Sequence, residues 1–406
     1  MEMVLEFLRD VLSQPALLIG IMSCIGLIAL KRPFHKVMTG TLKPILGYLM
    51  LAAGAGVIVN NLDPLGKMIE HGFHITGVVP NNEAIVAVAQ KVLGVETMSI
   101  LVVGLLMNLC IARFTKFKYV FLTGHHSLFM ACLMSAVLGT AGLSGMELIL
   151  VGGFLMGAWS AISPAIGQSY TSKVTDGDEI AIGHFGSLGY YLSAWVAQYV
   201  GKAEDSTEDI EIPEKWGFLR DSTLSTALTM IVFYLIAAIA AGSEFVSTLS
   251  GDMSPYLYAV MSAMNFAVGV TIVYSGVRMI LGDLIPAFQG IATKIIPNAI
   301  PAVDCAVFFT YAPTAVVLGF ISSFIGGIIG MLILGAVGGV LIIPGLVPHF
   351  FCGATAGIYG NATGGRRGAA VGAFLNGLAI TFLPAMALPV LGQLGFQNTT
   401  FGDADF

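Results

Sequence analysis

Four short clusters place titratable or hydrogen-bonding side chains in stretches otherwise too apolar to tolerate them. They are Thr123-Gly124-His125-His126-Ser127 at the start of a long apolar run, the segment from Thr175 to His184 with Asp176, Asp178 and Glu179, Asp304 within the run from Ile296 to Cys305, and Asn81-Asn82-Glu83 after Pro80. An ionisable group at membrane depth is costly, and it marks a substrate, ion or proton path unless it meets a structural need. A histidine ring gives and accepts hydrogen bonds near neutral pH, which suits a hydroxylated ligand and also a carboxylate-like anion. His125 and His184, each preceded by glycine, are the candidates; satisfying a neighbouring backbone carbonyl is the plainer use of either ring. A buried carboxylate needs donors or a counter-charge, so Asp304 either binds a ligand or pairs with Arg278. Glu83 either joins the site or lies at the outer interface, and His71, His74 and His126 read as interfacial. No spacing resembles a metal site and no G-x-S-x-G occurs, so no metal, no cofactor and no catalytic residue is expected.

Proline and glycine say how these groups are positioned. Pro297, Pro301 and Pro313 bracket Asp304, and Gly183, Gly186 and Gly189 bracket His184, which places both residues near broken helix ends. Backbone of that kind is tolerable at membrane depth only where it is buried in protein or lines a cavity. Two such hairpins meeting near the midplane would enclose a polar cavity, the architecture of a transporter.

The rest of the chain supplies the membrane setting. Of 406 residues, 56% are hydrophobic and 10% charged, against about 25% charged in a soluble protein. With 18 basic and 24 acidic residues there is too little charge to cover a soluble surface. The predicted class is an all-α polytopic membrane protein in a single permease domain, residues 1–406, of about ten transmembrane helices with broken or re-entrant hairpins around a central site. Candidate spans are residues 11–30, 45–59, 97–112, 119–141, 148–162, 222–241, 255–277, 315–343 and 369–391; residues 315–343 are tilted or broken within. Residues 78–94, 180–200 and 285–311 read as half-spanning or broken. The N-terminus lacks the basic leader of a cleaved signal peptide, so its first apolar run is expected to stay as a span.

Lys31, Arg32, Lys36 and Lys43 after the first span, and Arg113, Lys116 and Lys118 after the third, mark cytoplasmic loops. The acid-bearing stretch 60–96 then lies outside, and the loop around Lys173 inside. The soluble-looking stretch 201–221, with seven acids, is expected to be a cytoplasmic acidic loop, either simply solvated or a docking element. The five cysteines are scattered and read as free thiols. Net charge is −6, with no basic cluster to track phosphates, so nucleic acid is excluded as a partner. No phosphate-binding G-x-x-x-x-G-K-[ST] occurs, so the energy for transport comes from an ion gradient or a separate protein.

At these residues the sequence resembles the membrane permease, or IIC component, of the bacterial phosphoenolpyruvate-dependent phosphotransferase system, of the ascorbate type within the ascorbate and galactitol superfamily. The likeness rests on Lys173-Val174-Thr175-Asp176-Gly177 followed by Ile182-Gly183-His184, on Gly276-Val277-Arg278-Met279, Ala287-Phe288-Gln289-Gly290-Ile291 and Val303-Asp304-Cys305-Ala306, and on the run from Tyr311 to Phe320. Leu341-Ile342-Ile343-Pro344-Gly345 and Thr123-Gly124-His125 also fit. The resemblance implies a homodimer in the bacterial cytoplasmic membrane. It would move L-ascorbate or a related sugar or polyol inward while a separate IIB protein, loaded through IIA, HPr and enzyme I, phosphorylates it. His125, His184 and Asp304 would contact substrate, with the hairpin at Pro344 and Gly345 closing the site. The sequence departs from the pattern at three places: a Thr-Tyr pair is usual near Asn82-Glu83, and a glutamine is usual where Phe129 and Phe185 stand. The family also usually has one further C-terminal span, so a truncated chain is expected. An ion-coupled secondary transporter using Glu83, His184 and Asp304 as a proton relay is the competing class; a channel would need repeated polar rings that the sequence does not offer.

Overall fold

The computed structural model describes residues 11, 14–74, 77, 78, 80, 82–210, 222–392 and 400–402, and for some of these, residues 82–92 and His125 among them, it describes the backbone alone. In chain order the elements are α1 (Pro15–Ala29), α2 (Phe34–Gly72), α3 (Asn82–Phe114), β1 (Tyr119–Phe121), α4 (Gly124–Thr140), α5 (Gly145–Thr175), β2 (Ala181–Ile182), α6 (Ser187–Val200), α7 (Ser222–Ala241), α8 (Ser243–Ser250), α9 (Pro255–Lys294), β3 (Ile300–Val303), a 3₁₀ turn (Cys305–Thr310), α10 (Pro313–Ala336) and α11 (Leu346–Gly392). Among the described residues six helices are long and apolar enough to cross a membrane, or seven if the bent pair α7–α8, turned by 118°, is one span. The expected count of about ten includes shorter apolar pieces such as α1 and α4. The chain is a mostly helical, multi-pass membrane protein.

Helices α1, α2, α7, α8 and α9 pack chiefly on one another, and α3 to α6, α10, α11 and the strands form a second group. In the first group α2 and α9 run antiparallel, with Gly47 against Gly276 and Gly54 against Gly269. A Cβ on Gly47 would stand 2.9 Å from the Gly276 oxygen, and one on Gly54 2.8 Å from the Gly269 oxygen. Missing side chains let the backbones touch, which is how helices gain contact where lipid removes the hydrophobic drive.

The stretch expected to lie outside, residues 60–96, is largely helical: α2 continues to Gly72 and α3 begins at Asn82. The break expected in 78–94 falls at Leu93, whose φ of −132° and ψ of 37° interrupt α3. Residues 285–311 divide differently from the expectation, because α9 continues to Lys294 before the chain turns extended. Residues 315–343 do break, at Val337, after which Gly338 takes a φ of 72°.

Helix α11 is two arms. Gly353 and Gly377 both press on Ser323 of α10, and Gly360 and Gly368 meet each other, so the chain folds back at Gly365, where φ is 58° and ψ −152°. The sequence reading has no span over residues 346–364. That arm is enclosed by protein and needs no apolar face, so it can carry His349, Asn361 and Thr363, all buried.

The start of the acidic stretch is tied down rather than simply solvated. The Arg366 N–H donates to the Asp205 carbonyl at 2.8 Å, and the Thr207 N–H to Asn361 Oδ1 at 2.8 Å. The Glu208 carboxylate accepts from the N–H groups of Thr314 at 3.0 Å and Ala315 at 3.1 Å, and from Thr314 Oγ1 at 2.9 Å. An acid there satisfies orphan donors at the start of α10 and complements its dipole. Residues 211–221 of the stretch lie outside the described residues. A Cβ on Gly365 would run into the carbonyl oxygens of Lys202 and Asp205, in a backbone region that glycine alone adopts readily. Gly365→Ala is therefore expected to destabilise the protein by about 1–3 kcal/mol through the backbone alone, read as a lowered melting temperature in detergent.

Candidate functional site

The broken segments do not stay loose: they pair into a small parallel sheet that the all-α reading does not include, ordered β1-β3-β2. Tyr119, Val120 and Phe121 face Ile300, Pro301 and Ala302, and Ala181 and Ile182 face Ala302 and Val303. Two further bonds extend the pairing, Leu122 N–H to the Ala302 oxygen at 2.9 Å and Gly183 N–H to the Val303 oxygen at 2.8 Å. The pairing satisfies non-helical backbone that could not otherwise lie at this depth. The β-branched and apolar run Tyr119-Val120-Phe121 carries a strand signal, but strands of two to four residues are too short to stand out from flanking helix.

Parallel strands have their carboxyl ends at one end of the sheet, and each strand here runs directly into a polar residue. β1 leads to the first turn of α4 with His126, β2 to His184, and β3 to Asp304. His126, His184 and Asp304 line one cavity of about 1360 Å³. Tyr48 and Leu51 of α2, Asp63, Lys67 and Glu70, and Pro344 and Gly345 also line it. Lys67 Nζ lies 2.8 Å from Asp63.

His184 is held firmly. Its Nδ1 accepts the Gly186 N–H at 2.9 Å, which leaves the ring proton on Nε2 as a donor, and the Tyr190 hydroxyl approaches the same Nδ1 at 2.8 Å. Tyr190 packs on Tyr359 with ring centres 6.0 Å apart, and the Tyr359 hydroxyl bonds Thr171 Oγ1 at 2.7 Å. A Cβ on Gly183 would lie 2.8 Å from the Ala302 oxygen, so only glycine brings the ring this close to β3. The histidine is thus set by two buried partners, the Gly186 N–H and the Tyr190 hydroxyl. Removing one of them, as in Tyr190→Phe, is expected to weaken ligand binding about two- to tenfold, from a net hydrogen-bond contribution of about 0.5–1.5 kcal/mol, measured by titration calorimetry.

Asp304 caps the 3₁₀ turn, its Oδ1 accepting the Ala306 N–H at 2.9 Å. The alternative of an ion pair with Arg278 is corrected by position: Arg278 is exposed on α9 while Asp304 is 7% exposed. His126, expected at the interface, is 4% exposed and packs on His184 with ring centres 3.9 Å apart. The His125 side chain and those of Asn82 and Glu83 lie outside the described residues, though all three belong to helices. Phe129 lines the cavity, 5.4 Å from the His126 ring. Phe185 does not; it is fully buried behind the site, 6.4 Å from Phe129. His71 and His74 are exposed. Tyr48, Tyr190 and the Asp63–Lys67 pair are site features that the sequence reading missed, and of these only Tyr190, within the glycine-bracketed segment after His184, stood near a signal. Among the described residues no group of three His, Cys, Asp or Glu side chains could hold a metal ion.

A multi-pass helical protein whose broken segments deliver polar side chains to one internal cavity has the build of a membrane permease. The chain belongs to the family of sugar-specific permease components of the PTS system, EIIC-GAT, whose profile matches residues 10–405. It is 27% identical, over 424 aligned positions, to the "Ascorbate-specific PTS system EIIC component" of Mycoplasma pneumoniae. That alignment covers 89% of this chain, which spans 63% of the length of the relative.

Proposed function

We propose that this chain carries L-ascorbate or a related sugar or polyol inward across the bacterial cytoplasmic membrane, and that a separate IIB protein, loaded through IIA, phosphorylates the substrate at the inner face. The family match supports the class. The observation that carries the reading is the meeting of His126, His184 and Asp304 at one end of the sheet, in a cavity also lined by Phe129, Pro344 and Gly345. His184 gives a donor and Asp304 an acceptor, the pair that a vicinal diol needs. His125, Asn82 and Glu83 are proposed as further contacts, and Phe185 as support behind the wall. The phosphoryl chemistry belongs to the partner protein, and two copies of the chain form the working unit. Exposed apolar side chains such as Ile28, Leu106, Phe154 and Ile239 support a lipid-facing surface.

The cytoplasmic side is proposed to hold both the loop around Lys173 and the stretch from Gly201. Gln198 near the end of α6 reaches the Tyr170 hydroxyl near the end of α5 at 3.5 Å, so residues 180–200 leave and return at the same end of α5. A single cysteine at Ala203, in a background with the native cysteines replaced, is expected to resist a membrane-impermeant reagent in intact cells and to react in inside-out vesicles. Ready labelling from outside would invert this arrangement. For the function itself, inside-out vesicles given phosphoenolpyruvate and the soluble components are expected to release phosphorylated product regardless of protonophores. Unmodified sugar accumulating on a proton gradient alone would establish the ion-coupled class instead.

A further inference from the structure

Residues 400–402 lie far along the chain from the strands and are nonetheless part of the same core. Thr400 and Phe401 are 0% and 1% exposed, the Thr400 hydroxyl donates to the Pro384 carbonyl at 3.1 Å, and Gly402 lines the cavity that holds His126, His184 and Asp304. Phe401 joins the cluster that contains Phe121 of β1, Ala181 of β2 and Ala302 of β3. Its ring centre is 5.4 Å from that of Phe185.

A continuous row of rings leads from there to the site. Phe185 stands 6.4 Å from Phe129 and 6.3 Å from His126, and His126 stands 3.9 Å from His184. Ring faces and edges packed in sequence restrict one another, because each contact of this kind favours particular offsets and tilts, and a close-packed interior passes a change in volume to its neighbours. Phe185 itself does not line the cavity, so what it contributes to the site passes through its ring contacts with Phe129 and His126 and through its chain neighbour His184.

We propose that Phe401 is a positioning residue for the aromatic wall of this cavity, holding Phe185 so that Phe129 and His126 keep their places. This rests on the reading of the cavity as the substrate site for its effect on ligand choice, but not for its effect on the rings. Phe401→Ala removes the contact under Phe185 and lets that ring sink towards the vacated space.

The test uses the full chain in detergent with labelled histidine, the His126 and His184 ring resonances being assigned by single replacements. Phe401→Ala is expected to shift the His126 resonance and to change the ratio of the dissociation constants for L-ascorbate and galactitol by about tenfold or more, with Phe401→Tyr restoring both. If Phe401→Ala fails to fold, Phe401→Leu, which keeps apolar bulk but no ring face, is read in the same way. Unmoved ring resonances overturn the proposal, and so does a lowered melting temperature with the ratio unchanged. Should the wild type bind neither probe, the ring resonances alone decide. A moved His126 signal would then uphold the positioning role while vesicles without phosphorylated product reject the phosphotransferase reading.

Discussion

Asp304→Asn is expected to weaken substrate binding by roughly 10- to 100-fold while leaving the fold intact. An ionised carboxylate accepts charge-assisted bonds about twice as strong as neutral ones, and hydrogen bonds to charged groups contribute about 1.5–3 kcal/mol. The substitution separates two duties of the residue. Asparagine keeps an oxygen that can accept the Ala306 N–H and cap the 3₁₀ turn, so the cap is kept while the charge is removed. Binding on the purified variant, beside a melting curve, checks both. Loss of the folded protein would make the charge a structural requirement, and tighter binding would mean that the carboxylate opposes an anionic ligand.

The second large effect distinguishes two phenylalanines that look alike in sequence. Phe129 lines the cavity and Phe185 is fully buried behind it. Phe129→Gln places two donors and an acceptor where a ring face now stands, and sites built to hydrogen-bond a ligand reject mismatched ones by as much as roughly 10⁴. Wild-type protein is therefore expected to bind ascorbate weakly and the Phe129→Gln variant to bind it more tightly. Strong wild-type binding that Phe129→Gln does not improve would refute altered specificity at this position. Phe185→Gln should lower stability, since it buries an amide among apolar rings and gives up ring packing, a loss of about 3 kcal/mol or more, and from behind the wall it offers ascorbate no new hydrogen bond. Melting curves and ascorbate titration on the two single variants separate these expectations.

The membrane class, the broken segments and two of the polar residues that line the cavity, His184 and Asp304, were legible because charge and proline are conspicuous in apolar sequence. The sheet was not, because four residues of extended chain leave no periodicity to count. His126 was misplaced for a related reason. A histidine at a helix start gives no sign of whether it will turn inward; the strand before it decides that, and the strand was invisible. The inner arm of α11 escaped notice because hydropathy finds surfaces that meet lipid, and this arm meets protein on nearly every side. Tyr48 lies on α2, and only the packing of the two helix groups brings it opposite Asp304.

The order β1-β3-β2 has a consequence for how the protein is made. The middle strand is the last of the three in the chain, so both outer strands are synthesised while their inner edges have nothing to bond. Unpaired amides at membrane depth are costly by several kcal/mol each, and non-local pairing is slow to form. The first three-quarters of the chain must therefore wait, shielded by the translocation machinery or by water, until residues 300–303 emerge and slot between them. A chain released before that point would hold His126 and His184 on unzipped edges, a species for membrane quality control to remove rather than a partially active permease.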